Sequence, residues 1–163
     1  MRLRVNPADG QLYGTGLSGW QGPANGKDGC FQRLRYTGKA CRLLDSVTVV
    51  PKGIELHFNF DVDPASTTFA NDWHAEMWNY LWSKKYGSDQ FSVLHPGQKG
   101  HDIVSIADAL LKDSQTVLLG IPDIHPCDQL LLEVETCDRT GEPFLEKAYL
   151  TIHSVPEESD SVN

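Results

Sequence analysis

GIELHFNF, residues 53–60, sets a large apolar side chain at every second position. The apolar residues are Ile54, Leu56, Phe58 and Phe60, and the polar residues between them are Glu55, His57 and Asn59. Successive side chains of an extended chain point to opposite faces, so this alternation predicts a β-strand with one core face and one solvated face.

Two later segments repeat the pattern. The apolar positions are Val117, Leu119 and Ile121 in TVLLGI (116–121), and Leu130, Leu132 and Val134 in LLLEVET (130–136). Further strands are predicted at DSVTVV (45–50), HDIVSIAD (101–108) and KAYLTIH (147–153). Short strands with turn signals about every ten residues are typical of an all-β, Ig-like β-sandwich.

One helical interruption is predicted at DPASTTFA, residues 63–70. Asp63 can accept hydrogen bonds from the first backbone N–H groups of a helix, and Pro64 supplies the φ preferred at its first position. Asp61 and Asp63 could instead form a calcium loop, but FDVDPAS lacks the central Gly and terminal Glu of an EF-hand loop. Capping by Asp63 is therefore the favoured interpretation.

The first 40 residues have a different character, because glycine-rich loops join short strands predicted at Leu3–Val5, Leu12–Gly16 and Phe31–Tyr36. The segment has few large aliphatic residues, and a small isolated sheet is marginally stable in water. We expect three parts: residues 1–41 as a sheet that belongs to a larger assembly, residues 42–155 as the sandwich, and residues 156–163 as a disordered acidic tail.

Composition restricts the function. The chain has 163 residues, a net charge of -8, 40% hydrophobic and 22% charged residues. Such an excess of carboxylates argues against nucleic acid as a partner. No apolar run approaches the roughly 18 to 20 residues that span a bilayer, and MRLRVNPADG lacks the apolar stretch of a signal peptide.

The four cysteines are Cys30, Cys41, Cys127 and Cys137. A strand between Cys127 and Cys137 would hold them some 20 Å or more apart, beyond the reach of a disulfide. Cys30 and Cys41 face a similar objection, which leaves cross pairs or free thiols. None has the CxxC spacing of zinc or redox sites.

The aromatic stripe of residues 74–86 is the first candidate site. If HAEMWNYLW is a strand, then Trp78, Tyr80 and Trp82 share a face with His74 and Glu76. With Tyr86, these rings have three possible roles: packing within the chain, docking against a partner, or stacking on carbohydrate.

The second candidate is HPGQKGHD, which brings His95, His101 and Asp102 around a glycine-rich loop. These residue types can bind zinc or copper, but no two histidines have i,i+2 or i,i+4 spacing. We expect His101 and Asp102 to cap the turn through side-chain to backbone hydrogen bonds instead. No catalytic residues, metal ligands or cofactor are predicted in this chain.

Several motifs resemble known families. DSVTVVPKGIELHFNFDVDPAS, SQTVLLGIP and LLLEVETCDRTGEPF are similar to Ig-like domains of the bacterial SbsA type. NPADGQLYGTGLSGWQ through CFQRLRYTG resembles the last blade of six-bladed β-propellers of the glucose/sorbosone dehydrogenase type, and WNYLWSKKYGS and KGHD resemble inserts of the Ig-like domain that follows.

This resemblance implies the C-terminal part of a large secreted or periplasmic bacterial protein, sometimes with haem-bearing domains. It implies a non-catalytic accessory module that packs against propeller blades of the same or an adjacent polypeptide. The blades that would carry the propeller's central site precede such a segment and are not in this sequence. The alternative function is a carbohydrate-binding module that uses Trp78, Tyr80, Trp82 and Tyr86.

Overall fold

The computed structural model describes residues 2–16 and 29–157, which form an all-β structure with three antiparallel sheets. The chain divides into two compact units, Met1–Cys41 and Arg42–Asn163. Helical structure in the described ranges is limited to two 3-10 turns, Pro64–Ser66 and Ala70–Asp72. Within the same ranges, no helix has the length and apolar character needed to cross a membrane.

The first unit contains one sheet of three strands in the order β1-β2-β3. Its strands are β1 (Arg2–Val5), β2 (Leu12–Gly16) and β3 (Cys30–Leu34). Between β1 and β2, the Asn6 side chain accepts from the N–H of Ala8, and Gly10 adopts a left-handed φ of 68°. All three predicted strands are present, although the third begins one residue earlier and ends two residues earlier than expected.

Almost no residue of this sheet is buried. Among residues 2–16 and 29–41, only Gly14 is buried. Phe31 stacks on Tyr13, with ring centroids 5.6 Å apart, yet 72% of Phe31 remains exposed. Leu34 and Tyr36 are 52% and 90% exposed. The described residues of the first unit therefore pair as strands without forming a hydrophobic core.

The second unit contains two sheets. One has the order β4-β5-β10-β9, and the other has the order β12-β11-β6-β7, with β8 also paired to β6. The strands are β4 (Leu44–Val50), β5 (Gly53–Phe58), β6 (His74–Tyr80), β7 (Gln90–Phe91), β8 (Asp102–Ile103), β9 (Asp108–Asp113), β10 (Thr116–Gly120), β11 (Cys127–Cys137) and β12 (Pro143–Ile152).

One core lies between these two sheets, as in a β-sandwich. Side chains predicted to face inward from β5, β10 and β11 are fully buried in a single cluster: Ile54, Leu56, Phe58, Val117, Leu119, Leu130, Leu132 and Val134. Ala75 and Met77 of β6 join the cluster, so the opposite face of β6 points away from it. The alternation read from the sequence is confirmed in these strands.

The close approach of β5 and β10 explains why position 53 is a glycine. A Cβ built on Gly53 would lie 2.3 Å from the backbone oxygen of Leu119, which pairs with Ile54 in the neighbouring position. No side chain larger than hydrogen fits there without moving the strand.

The predicted helical interruption is a single 3-10 turn. Asp63 caps it, because its Oδ1 accepts from the N–H of Ala65 at 3.1 Å, and Pro64 occupies the first position. Asp61 has a different role, since its carboxylate accepts from Ser114 Oγ at 2.8 Å and lies 3.6 Å from Arg139. The capping interpretation of Asp63 is confirmed.

One predicted strand differs from expectation, and one prediction is not tested. HDIVSIAD was predicted to be one strand, but only Asp102–Ile103 pairs with β6, and the chain then crosses to the other sheet and begins β9 at Asp108. A segment that changes sheets cannot keep one hydrogen-bond ladder, which explains the break. The predicted disordered tail falls mostly on residues 158–163, which lie outside the described residues.

Cys127 and Cys137 occupy the two ends of β11 and are free thiols, in agreement with the distance argument. Cys127 is buried, and this burial raises the pKa of its thiol. Cys30 is also free and is exposed. Cys127 and Cys137 therefore do not pair with each other.

Candidate functional site

The four rings of the aromatic stripe do not form one surface. Strand β6 ends at Tyr80, so the common face expected for Trp78, Tyr80 and Trp82 stops there. Trp78 is only 4% exposed, Tyr80 is 41% exposed, and Trp82 is 98% exposed. Tyr86 is fully exposed. The structure thus separates a buried ring from exposed ones.

Trp78 lies on the face of β6 opposite the sandwich core, and the imidazole of His101 covers it. The two ring planes differ by 12°, and their centroids are 4.1 Å apart. The neighbouring residue Met77 faces the core. Trp78 is therefore held between the sheet and the segment that carries His101.

His101 is also fixed by two hydrogen bonds. Its Nδ1 lies 2.7 Å from Oε2 of Glu76 on β6, and its Nε2 lies 2.7 Å from Oε1 of Gln90 on β7. The other carboxylate oxygen of Glu76 lies 2.9 Å from Nε2 of His74. Hydrogen bonds from His101 and then His74 hold the pKa of Glu76 below its ordinary value. We call these four residues, together with Trp78, the His101 cluster.

Asp102 organises the turn that precedes it. Its carboxylate accepts from Ser92 Oγ at 2.7 Å and from the N–H groups of Val93 and Leu94 at 2.6 and 3.0 Å. Burial tends to raise the pKa of Asp102, but the hydrogen bonds from Ser92, Leu94 and Val93 outweigh it, so the pKa stays below its ordinary value. These bonds are the turn capping that the sequence predicts.

The two histidines of the second candidate site behave differently from each other. His95 is exposed, and its backbone N–H donates to Ser92 Oγ at 2.7 Å. His101 does not cap the turn, because its ring contacts Glu76, Gln90 and Trp78. Over the described ranges, no group of three His, Cys, Asp or Glu side chains is arranged to hold a metal ion.

Residues 81–89, which we call the aromatic loop, connect β6 to β7. The N–H of Leu81 donates to Ser88 Oγ at 2.9 Å, and Gly87 adopts a left-handed φ of 81°. The loop borders an open cavity of about 400 Å³. Its lining combines apolar and polar groups: Leu81, Trp82, Ser83, Lys85, Tyr86, Gly87, Ser88, Asp89 and Phe91.

Both ends of the aromatic loop are anchored. At the first end, the N–H of Tyr80 donates to Asp128 Oδ2 at 2.8 Å. At the second end, Asp89 pairs with Lys99 at 2.5 Å, and His101 binds Gln90. The His101 cluster therefore joins the two strands that carry the loop.

A further polar cluster lies at the β11–β12 turn. Asp138 Oδ1 accepts from the Thr140 hydroxyl at 2.6 Å, and its Oδ2 lies 2.6 Å from Arg42. The Thr140 hydroxyl and, less strongly, Arg42 lower the pKa of Asp138 well below its usual range. Since Arg42 precedes β4, this cluster fastens the start of the sandwich and has a structural role.

The residues that sequence reasoning missed are Glu76 and Gln90. Glu76 was placed on one face with His74 and Trp78, but its bond to His101 spans 25 positions, so it becomes visible only in the folded structure.

Comparisons with protein-family models, curated proteins and solved structures find no match for this chain.

Proposed function

We propose that this chain is a non-catalytic interaction module of a secreted protein, in which residues 2–41 dock against a β-propeller of the glucose/sorbosone dehydrogenase type. The sandwich that follows would be the Ig-like accessory domain. The observation that carries the proposal is the sheet β1-β2-β3, in which only Gly14 is buried.

The exposed side chains of this sheet suit a buried interface. Phe31, Leu34 and Val5 on the strands, and Tyr36 two residues after β3, are all more than half exposed. Burying apolar surface contributes roughly 25 cal/mol per Å², so a partner that covers these side chains would stabilise the sheet. Within the described part of the chain, β1 and β3 are also the outer strands and can extend their ladders onto another sheet.

The proposal is tested by mixing the full chain with a six-bladed propeller of this type from which the last blade has been deleted. Hydrogen exchange read by mass spectrometry should show new protection in residues 30–36 on mixing. Phe31→Ser should abolish that protection, whereas Leu145→Ser should leave it unchanged, because Leu145 is an equally exposed side chain on β12. Equal exchange with and without the propeller would contradict the proposal.

A second candidate function is carbohydrate binding by the aromatic loop. Its support is the exposure of Trp82 and Tyr86 beside polar side chains that include Lys85, Ser88 and Asp89. Exposed rings with a polar rim provide the stacking face and the hydrogen-bonding groups that a sugar requires. Trp78 is buried and is left out of this candidate site.

Affinity electrophoresis in gels that contain soluble polysaccharides tests this second function. Trp82→Ala and Tyr86→Ala should remove the retardation, and Tyr149→Ala, at an exposed tyrosine on β12, should keep it. If the Trp82→Ala and Tyr86→Ala variants are retarded as much as the unmodified chain, the carbohydrate function is eliminated.

A further inference from the structure

We propose that the aromatic loop binds a glycan whose neutral backbone carries separated uronic acid groups, with Trp82 and Tyr86 stacking on the backbone and Lys85 pairing with a carboxylate. This inference rests on the second candidate function and is independent of propeller docking. It adds the chemical class of the ligand.

The aromatic loop has a positive charge, unlike the chain as a whole. Residues 81–89 contain two lysines and one aspartate, which gives 2 − 1 = +1, whereas the whole chain carries -8. Asp89 is paired with Lys99, and Lys85 also lies near enough to lower the pKa of the Asp89 carboxyl. Lys99 and Asp128, which bond to the two ends of the loop, have opposite charges, so including both leaves the local charge at +1. A positive patch on an acidic protein favours a negatively charged group at that patch.

The total charge limits how dense the ligand's charge can be. A polymer with one anionic group per unit would be repelled by the rest of the chain, which argues against single-stranded nucleic acid and against polyuronates. A mostly neutral backbone with occasional carboxylates gains attraction from the loop without this repulsion. The positive charge of the loop and the negative charge of the whole chain together favour a mostly neutral glycan with widely spaced carboxylates.

The geometry provides both contacts. Trp82, Tyr86 and Lys85 line the same cavity of about 400 Å³, which is open to solvent. The apolar C–H face of a sugar ring can cover an exposed aromatic ring, and the flexible lysine stem can bring its ammonium group to a carboxylate branch. Gly87, with its left-handed φ, turns the loop immediately after Tyr86.

Glucuronoxylan and the same polysaccharide with its carboxyl groups chemically reduced to alcohols are the matched probes. The full chain should bind native glucuronoxylan, and Trp82→Ala should weaken binding about tenfold or more, as for a central aromatic contact. Lys85→Gln should weaken it roughly 1.5-fold to fivefold, because an exposed ion pair is individually weak. High salt should remove the lysine effect.

Carboxyl reduction should lower the affinity as much as Lys85→Gln does, and the substituted chain should not distinguish the two probes. Tyr149→Ala serves as the control. Equal binding of native and reduced polysaccharide would overturn the inference while leaving the carbohydrate function standing. Binding to neither probe would overturn the inference, and tighter binding to single-stranded poly(dT) would overturn it together with the function on which it rests.

Discussion

The imidazole of His101 lies parallel to the indole of Trp78 at a centroid distance of 4.1 Å. The same imidazole contacts Glu76 on β6 and Gln90 on β7. One side chain thus covers the outer face of the sheet and joins the two strands that flank the aromatic loop. A ring that the sequence offered as a binding residue is instead buried by this contact.

Removal of this side chain should loosen that region. His101→Ala loses the ring stack and two hydrogen bonds, so we expect the free energy of unfolding to fall by about 1 to 3 kcal/mol. Urea unfolding measures the change. His95→Ala is the matched control, because His95 is exposed, and it should change the value by no more than about 0.5 kcal/mol. If the two substitutions change the free energy of unfolding equally, the contacts of His101 contribute nothing to stability.

Stability should fall in acid in a way that depends on Glu76. Its pKa in the folded chain is lowered from the ordinary value of 4.5 by the bonds from His101 and His74, and Lys147 is a further charge that interacts with it. A carboxylate with a lowered folded pKa stabilises the fold above its unfolded pKa, and the contribution disappears as pH falls through the folded pKa.

The measurement is urea unfolding between pH 6 and pH 2.5 for the unmodified chain and for Glu76→Gln. The unmodified chain should be the more stable of the two at pH 6, and the difference should shrink below pH 4.5. A difference that stays constant over this range would contradict the role assigned to the carboxylate.

The turn fixed by Asp102 should also be sensitive to substitution. Asp102→Ala removes the acceptor for Ser92, Val93 and Leu94, so unfolding should become easier by about 1 to 3 kcal/mol. Thermal denaturation compares this variant with Asp123→Ala, at an exposed aspartate, which should change little. If both variants melt alike, the turn does not depend on Asp102.

The two-sheet core predicts a contrast between leucines on neighbouring strands. Leu132 on β11 is fully buried, whereas Leu145 on β12 is 69% exposed. Leu132→Ala should destabilise the chain by about 2 to 5 kcal/mol, and Leu145→Ala by less than about 0.5 kcal/mol. Denaturant unfolding that gave similar values for both would be inconsistent with the placement of the core.

The sequence predicted those parts of the fold that depend on local patterns. Alternation along residues 53–60 and 130–136 identified the buried faces, and the Asp63-Pro64 pair identified the 3-10 turn. These features depend on side-chain period and capping, both of which are visible in a short window.

The rest depends on contacts between distant segments. The end of β6 at Tyr80 is not marked by any breaker residue, since Leu81 is not a residue that strands avoid and Trp82 is a good strand former. The burial of Trp78 requires His101, which lies 23 positions later and is positioned by the turn that Asp102 organises. Local patterns therefore located the aromatic residues but could not separate the buried ring from the exposed ones.

Hydrogen exchange of the chain alone tests most directly whether residues 2–41 need a partner. Amides of β1, β2 and β3 should exchange much faster than those of β5, β10 and β11, because the first sheet has no buried side chains to resist opening. Protection of β1, β2 and β3 equal to that of the sandwich strands in a monomeric chain would contradict the account.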